Sequence, residues 1–348
     1  MTKMKAIVQL LVVFMCFTSC NSQTKENALP TVIDTGFAKG ADVGWLPQME
    51  ATGYRFYDSD GLQKDCLQLL KDRGINTIRL RVWVNPSNDK ASGHCSKVET
   101  VAMALRAQKM GMRIMIDFHY SDSWADPGKQ FKPKAWENHT FSELLNDVYN
   151  HTFDVLSALK TVGVTPEWVQ VGNEIPGGML WPEGSTKNWS QLAQLLNKGF
   201  EATKAIDTKI KVIVHLDEGN DNAKFRWFFD NAKANNVKYD VIGLSYYPFW
   251  IKKEYTETIT NLENNLKDMA SRYNKEVMVV EVGGIDEQVE NTYQMLTATI
   301  KAVKNVPNNK GLGVVYWEPQ GAKSWSGYLL SAWGVDGKPT AALDAFKE

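Results

Sequence analysis

Two glutamates each follow a short apolar segment that has the composition of a buried strand. Glu174 comes after residues 168–173 (WVQVGN), and Glu281 comes after residues 277–280 (VMVV). A carboxylate at the end of an apolar strand is costly to bury unless it is paired or takes part in chemistry. Hydrolysis of a glycosidic bond with retention of configuration needs one carboxylic acid and one carboxylate, about 5 Å apart. The two segments therefore predict a retaining glycoside hydrolase with Glu174 as acid/base and Glu281 as nucleophile.

Short apolar segments alternate with longer amphipathic segments from residue 36 onward. Strands are predicted at residues 37–42, 77–82, 113–118, 168–172, 211–216, 241–246, 277–280 and 313–317. Helices are predicted at residues 62–72, 98–109, 141–162, 189–206, 223–235, 258–273, 288–303 and 340–346, with Ser142 capping the third. Continuous apolar strands are typical of parallel sheets that are covered on both faces. Eight such units predict a single α/β domain, a (β/α)8 TIM barrel over residues 36–348, and the lack of a G-x-G-x-x-G turn argues against an open doubly wound sheet.

Active sites of such barrels lie where the carboxyl ends of the strands meet. Polar and aromatic residues collect at those ends: Arg79, Arg81, Asp117, His119, Asn173, Glu174, His215, Asp217, Ser245, Tyr246, Tyr247, Glu281, Trp317 and Glu318. Strands four and seven lie on opposite sides of an eight-stranded barrel, so their glutamates can face each other across its mouth.

The neighbours of the two glutamates suggest supporting roles. Asn173 is expected to bond the sugar hydroxyl beside the reacting carbon. Arg79 or Arg81, together with Tyr247 or Tyr246, is expected to keep Glu281 ionised, because positive charge and donated hydrogen bonds both favour a carboxylate. Three further residues are candidate substrate contacts: His119 as a sugar ligand, Trp317 as a stacking surface, and His215, for which a purely structural role is equally open.

The composition excludes several classes of protein. The chain has 348 residues and a formal charge of −1, which does not favour binding to nucleic acid or to an anionic membrane surface. No Cys or His cluster indicates a metal, and no cofactor is expected. Five of the twelve tryptophans are predicted to pack in the core, namely Trp124, Trp136, Trp168, Trp189 and Trp227.

The N-terminus is typical of export. Residues 1–19 combine Lys3 and Lys5 with a short apolar run, and they end before Cys20 in the order Phe-Thr-Ser-Cys. This pattern predicts a lipoprotein signal peptide with Cys20 as the acylated residue, although ordinary signal-peptidase cleavage is an alternative. Residues 20–35 are read as a tether, so the protein is expected at the bacterial cell envelope, on the outer membrane or cell surface. Cys66 and Cys95 are expected to be free rather than bridged.

Several motifs resemble glycoside hydrolase family 53. They are KGADV at 39–43, IRLRVW at 78–83, DFHYSD at 117–122, WADPGKQ at 124–130, GNE at 172–174, LSYYPFW at 244–250 and YWEP at 316–319. The resemblance implies an endo-β-1,4-galactanase acting on type I arabinogalactan, the galactan side chains of pectin. It also implies a retaining-clan barrel with its catalytic residues on strands four and seven, which match Glu174 and Glu281. Within these motifs, Asp122 and Trp250 join the candidate substrate-binding residues, which also include Arg79, Arg81 and Tyr247.

The resemblance leaves three expectations. Some family members bind calcium beside the last two strands, but here residues 282–285 lead almost directly into a helix and residues 320–333 hold no acidic ligand set. We therefore expect no calcium site. The expected partner is a polysaccharide, and the expected state is a monomer that meets the membrane only through its lipid. The alternatives are a retaining β-glycanase of the same clan acting on glucan, mannan or xylan, and a non-catalytic glycan-binding surface lipoprotein.

Overall fold

The computed structural model describes residues 36–348, and they form a closed barrel of eight parallel strands in sequence order. Pairing of the first strand with the eighth completes the ring. The strands are β1 Ala38–Asp42, β2 Thr77–Val82, β3 Arg113–Phe118, β4 Trp168–Val171, β5 Lys211–Leu216, β6 Val241–Tyr246, β7 Glu276–Val282 and β8 Gly311–Trp317. The predicted (β/α)8 fold is confirmed, and all eight predicted strands are present.

Helices follow the strands and cover the outside of the barrel. They are α1 Leu46–Ala51, α2 Cys66–Asp72, α3 Lys97–Lys109, α4 Phe141–Thr161, α5 Trp189–Ile206, α6 Asn222–Ala234, α7 Tyr255–Arg272, α8 Val289–Lys304 and α9 Lys323–Ser326. Short 3₁₀ turns lie at Lys134–Trp136, Pro307–Asn309 and Ala341–Lys347, so the closing segment is not the predicted α-helix. The predictions also missed α1 and α9, which are too short to show a helical period.

The start of α4 corrects the prediction of Ser142 as its cap. The cap is Thr140, whose hydroxyl accepts the N–H of Glu143, while the Glu143 carboxylate accepts the N–H of Thr140. This reciprocal capping box satisfies two N–H groups that the first turn leaves unpaired. Ser142 lies inside the first turn with its side chain exposed.

Alternation along the strands divides the barrel interior into two layers. An apolar layer fills the lower part and consists of Ala38, Met115, Trp168, Ile213, Val241, Met278, Val280 and Val315. Because side chains on a strand alternate between its faces, positions two residues further along also point inward. On β3, β4 and β5 these positions hold Asp117, Gln170 and His215, which are completely buried. The polar layer of the site therefore stands on a packed apolar floor.

Strand β7 departs from simple alternation at the nucleophile candidate. Val280 belongs to the interior layer, so the next inward position would ordinarily be residue 282. A bulge intervenes: Leu244 of β6 pairs with Val279, and Ser245 pairs with Glu281, which leaves Val280 unmatched. An extra residue of this kind re-aims the side chain that follows it. Glu281 is thereby turned into the mouth of the barrel.

Two further predictions concern the cysteines and the N-terminal residues 1–35. Cys66 and Cys95 are both buried and free, which confirms the prediction that they do not form a bridge. The predicted signal peptide 1–19, the acylated Cys20 and the tether 20–35 lie outside the described residues. Among residues 36–348, no helix has both the length and the apolar content needed to cross a membrane.

Candidate active site

A cleft of about 440 Å³ opens at the carboxyl ends of the strands. Glu174 and Glu281 both line it, so the structure brings the two predicted catalytic carboxyls into one cavity. Other predicted residues in its lining are His119, Asn173, Tyr247, Trp250 and Trp317. Residues that were not predicted as substrate contacts also line it, including Trp124, Asp217, Ser245 and Tyr328.

Glu281 is held by one cation and one hydroxyl. Arg79 Nη1 lies 2.9 Å from Glu281 Oε1, and the Tyr247 hydroxyl donates to Oε2 at 3.2 Å. The sequence left open which arginine and which tyrosine contact Glu281, and these two contacts answer that question. Tyr246 points away from the cleft, with its hydroxyl against Thr258. Arg79 and Tyr247 are the pair that favours an ionised Glu281.

Both carboxyls have a raised pKa, but the strongest charge acting on each works in the opposite direction. Burial raises the pKa of Glu281 to about 7, and the positive charge of Arg79 opposes that rise. Burial raises the pKa of Glu174 well above its usual range, and the neighbouring negative charge of Glu281 raises it further. Separation of two carboxyl pKa values by their surroundings is how one site holds an acid beside a base. Glu281 therefore ionises first, while Glu174 keeps its proton.

A paired substitution tests the support of Glu281. Tyr247→Phe removes a donor to the carboxylate, so the pKa of Glu281 rises and the acid limb of the kcat/KM profile moves to higher pH. We expect a loss of roughly tenfold in kcat/KM on the acid side, the size of one hydrogen bond to a charged group. Tyr246→Phe is the control, because its hydroxyl lies outside the cleft. Equal pH profiles for the two variants would contradict the assignment.

Glu174 has a strained backbone in addition to its buried carboxyl. Its φ of +43° lies in the left-handed region that non-glycine residues seldom adopt. Two side chains hold this segment: Gln130 Nε2 donates to the carbonyls of Asn173 and Glu174 at 2.8 and 3.1 Å, and the Ser245 hydroxyl donates to Glu174 Oε1 at 2.6 Å. Strain of this kind persists where the surroundings over-determine it, which is common at catalytic residues.

Asn173 and His119 differ in how much bonding capacity they leave for a ligand. The Asn173 amide donates to the carbonyl of Ala125 at 2.9 Å, and its Oδ1 accepts from Arg79. One amide hydrogen remains for a ligand. His119 lines the cleft, but its Nδ1 accepts the N–H of Ala125 and its Nε2 contacts Asp117 at 3.0 Å. Both ring nitrogens therefore have protein partners, which does not favour the predicted hydrogen bond from His119 to a sugar.

Four predicted substrate-binding residues lie outside the cleft lining. Arg79, Arg81 and His215 are at most 1% exposed and lie beneath the cleft. Their polar groups contact protein partners, such as Glu281 for Arg79, Glu318 for Arg81 and Ser245 for His215. Asp122 bonds two backbone N–H groups, those of Asn85 and Lys134, at 2.9 and 2.8 Å, and so fixes a loop. Direct contact of these four with substrate has no support in their positions.

Comparison with known proteins assigns the family. The model of glycosyl hydrolase family 53 matches residues 38–346, nearly the whole described barrel. The chain belongs to glycosyl hydrolase family 53. It is therefore a glycoside hydrolase, and the resemblance carried by its motifs is confirmed.

Relatives and solved structures agree with family 53. The chain is 35% identical over 308 residues to an endo-beta-1,4-galactanase of Bacillus subtilis, covering 81% of this chain and 70% of the relative. It is 33% identical over 302 residues to an arabinogalactan endo-beta-1,4-galactanase of Thermothelomyces thermophilus, covering 81% and 89%. The GH53 catalytic domain of Ignisphaera aggregans superposes with a TM-score of 0.83 at 30% identity, covering 92% of this chain and 98% of that one.

Arg81 supports an aromatic cluster that sequence patterns did not locate. Its guanidinium lies 4.6 to 5.9 Å from the ring centres of four tryptophans, Trp45, Trp83, Trp124 and Trp317. Its Nη1 pairs with Asp42 and Glu318, while its Nε and Nη2 have no hydrogen-bond acceptor. The ring faces occupy the space where such acceptors would stand, which is a cation–π arrangement. This family 53 cleft thus has tryptophans fixed from below by a buried cation.

The prediction of a core position is wrong for two of the five tryptophans, Trp124 and Trp227. Trp124 lines the cleft and packs against Trp317, with ring centres 5.8 Å apart. Trp227 is 50% exposed on the outer surface, against Trp189. Trp136 and Trp168 are buried as expected.

The residues beside the last two strands do not fit a calcium ion. Asp286 accepts a backbone N–H with its carboxylate, and Glu287 pairs with Lys323. Within residues 36–348, no group of three or more His, Cys, Asp or Glu side chains is arranged to hold a metal ion. No catalytic step is therefore assigned to a metal, and the expectation of no calcium site stays a prediction.

Proposed function

We propose that this family 53 enzyme is an endo-acting, retaining β-1,4-galactanase that cleaves galactan, the backbone of type I arabinogalactan in pectin side chains. The carrying observation is the pair of carboxyls in one cleft, with Glu281 supported as a carboxylate and Glu174 as an acid. The proposed substrate is supported by the relatives, since the Bacillus subtilis and Thermothelomyces thermophilus proteins have the names of β-1,4-galactanases.

The proposed mechanism is a double displacement. The Glu281 carboxylate attacks the anomeric carbon and forms a glycosyl ester, while Glu174 gives its proton to the departing glycosidic oxygen. In the second step Glu174, now a carboxylate, takes a proton from water, and the water oxygen attacks the same carbon. The ester bond breaks, and Glu281 leaves as a carboxylate. Two inversions give net retention.

Two groups in the cleft are assigned to sugar binding in this proposal. Asn173 uses its free amide hydrogen on the hydroxyl next to the reacting carbon, an interaction that strengthens in the transition state. Trp317 and Trp124 offer ring faces on which a pyranose can stack, and Trp250, 62% exposed at the rim, extends the apolar surface outward. All these side chains come from one chain, so we propose that the monomer is the active form.

Product analysis tests substrate, mode and stereochemistry together. We expect linear β-1,4-galactan to be cut internally, giving a mixture of oligosaccharides early in the reaction, with cellulose, mannan and xylan untouched. Proton NMR of the first product should show the β-anomer before mutarotation. No cleavage of galactan, with cleavage of another β-1,4-glycan, would favour the clan alternative. An initial α-anomer would contradict the double displacement.

Membership of family 53 argues against the non-catalytic alternative. The difference in pKa between Glu174 and Glu281 agrees, because a protein that only bound glycan would not need it. We also propose that the enzyme is exported and anchored through a lipid on Cys20 at the bacterial surface, which rests on the pattern of residues 1–20. Radiolabelled palmitate should label the full chain in its bacterial host and not a Cys20→Ser variant.

A further inference from the structure

A closed ring of hydrogen bonds begins and ends on Glu174. The backbone N–H of Glu174 points to His215 Nδ1 at 3.3 Å. His215 Nε2 lies 2.8 Å from the hydroxyl of Ser245. That hydroxyl in turn lies 2.6 Å from Glu174 Oε1. His215 belongs to β5 and Ser245 to β6, so the two strands that follow β4 in the barrel both contribute a side chain that bonds Glu174.

The backbone N–H of Glu174 can only donate, which favours an acceptor at His215 Nδ1. The same nitrogen lies 3.1 Å from Asn173 Oδ1, an acceptor for Arg79, and 3.0 Å from the Gln170 amide nitrogen, whose two hydrogens also face Asp117 and Asn173. These contacts are compatible with either tautomer of a neutral His215. We assign the proton to Nε2, because this tautomer accepts the Glu174 N–H and lets Nε2–H donate to Ser245, whose own hydrogen is then directed at Glu174.

The ring is buried and electrically neutral apart from Glu174. His215 and Ser245 are 0% and 1% exposed, so water does not compete for these bonds. Burial and the charge of Arg79 lower the pKa of His215 well below its usual value. The imidazole therefore stays neutral, as the ring of hydrogen bonds requires. Buried, fully satisfied networks of this kind fix the groups they contain.

We propose that His215 and Ser245 are positioning residues that fix the carboxyl of Glu174 and stabilise its ionised form. This rests on the proposed role of Glu174 as acid/base. The Ser245 hydrogen bond occupies Oε1, so Oε2 is the oxygen that holds the proton and delivers it to the glycosidic oxygen. When that proton has left, the same bond stabilises the carboxylate that must next act as a base.

Several charged groups from other elements also act on Glu174. Glu281 on β7 and Asp217 after β5 raise its pKa, and Arg79 on β2 lowers it. Tyr247, after β6, faces the same cleft. The Ser245 bond lowers the pKa of Glu174. Ser245→Ala therefore leaves the other groups in place and removes one lowering influence. The pKa of Glu174 should rise.

The test compares Ser245→Ala with Ser245→Thr in the full enzyme on galactan. For Ser245→Ala we expect the alkaline limb of kcat/KM to move up by about one pH unit, because that limb reports loss of the acid's proton. At the optimum we expect kcat/KM on galactan to fall about tenfold, less than the roughly 10²- to 10⁴-fold that complete loss of general acid catalysis costs. Hydrolysis of a dinitrophenyl β-galactoside, whose leaving group needs no proton, should show an unchanged bond-cleavage step. Ser245→Thr keeps the hydroxyl and should restore the wild-type pH limb.

Two outcomes would overturn the proposal. A control variant shows how much activity is lost through destabilisation of the fold alone. Thr203→Val removes a buried hydroxyl that bonds only a helix carbonyl, at Gly199, and gives the baseline for such a change. A Ser245→Ala profile that superposes on wild type would sink the positioning role. So would an equal loss on galactan and on the activated galactoside. If wild type itself fails to cleave galactan, the proposed substrate has failed instead, and the same comparison is made on the glycan it does cleave.

Discussion

Glu281→Ala is expected to lower galactan turnover by a factor on the order of 10⁴ or more, the scale seen when a covalent nucleophile is removed. The bond between the sugar and Glu281 has no substitute in the cleft, because Glu174 is committed to the departing oxygen. Oligosaccharide binding should persist, since the ring-stacking tryptophans and Asn173 are untouched. Loss of kcat without loss of affinity is the expected signature.

The fold should tolerate this change for an electrostatic reason. Arg79 faces three carboxylates, those of Asp42, Asp117 and Glu281, at 2.8 to 2.9 Å. Removing one partner from a buried pair is usually damaging because a charge is left unpaired. Here two carboxylates still surround the guanidinium after the substitution. The thermal midpoint of Glu281→Ala should therefore stay near that of wild type.

The measurement pairs turnover with calorimetric binding of a galacto-oligosaccharide. Glu276→Gln is the matched control: it lies at the opposite end of β7, where its carboxylate bonds Lys211, far from the chemistry. That variant should keep wild-type turnover. Near-normal turnover by Glu281→Ala would remove Glu281 as nucleophile, whereas loss of both binding and turnover would point to a collapsed cleft.

The barrel was predictable because its signals are local. Continuous apolar segments alternating with amphipathic ones recur eight times, and the strand bounds of β2, β3, β5 and β6 were predicted to the residue. The residues that follow strands, among them Glu174 and Glu281, could be found by the same rule. The residues that stabilise the Glu281 carboxylate could be predicted only as one of two arginines and one of two tyrosines.

What sequence could not supply depends on contacts between distant segments. The choice of Arg79 over Arg81 depends on which guanidinium reaches β7, and the inward turn of Glu281 depends on a bulge opposite Ser245. Trp124 lies in a loop, where no hydrophobic periodicity indicates which way a side chain points. Only its packing against Arg81 and Trp317 shows that it lines the cleft. Gln130 was part of a motif, yet its clamp on two carbonyls of the acid/base segment has no sequence signature.

Glu174→Ala is the second large expectation, and it separates the two chemical steps. Galactan hydrolysis should fall by roughly 10²- to 10⁴-fold, the usual contribution of a positioned general acid. The alkaline limb of the pH profile should disappear, because no titrating acid remains. A dinitrophenyl β-galactoside should still form the ester with Glu281, since its leaving group departs without a proton. The ester should then accumulate, because water lacks its base.

Azide provides the decisive readout for that accumulated ester. As an anion it needs no general base, and the space left by the Glu174 side chain admits it to the same face of the sugar from which water would attack. Turnover of the activated galactoside should rise with azide, and the product should be the β-galactosyl azide. Glu167→Gln, at the opposite end of β4 against Arg113, should show no such rescue. An α-azide, or an absence of rescue in Glu174→Ala, would contradict the assignment, because only an ester on Glu281 with Glu174 on the opposite face gives retention.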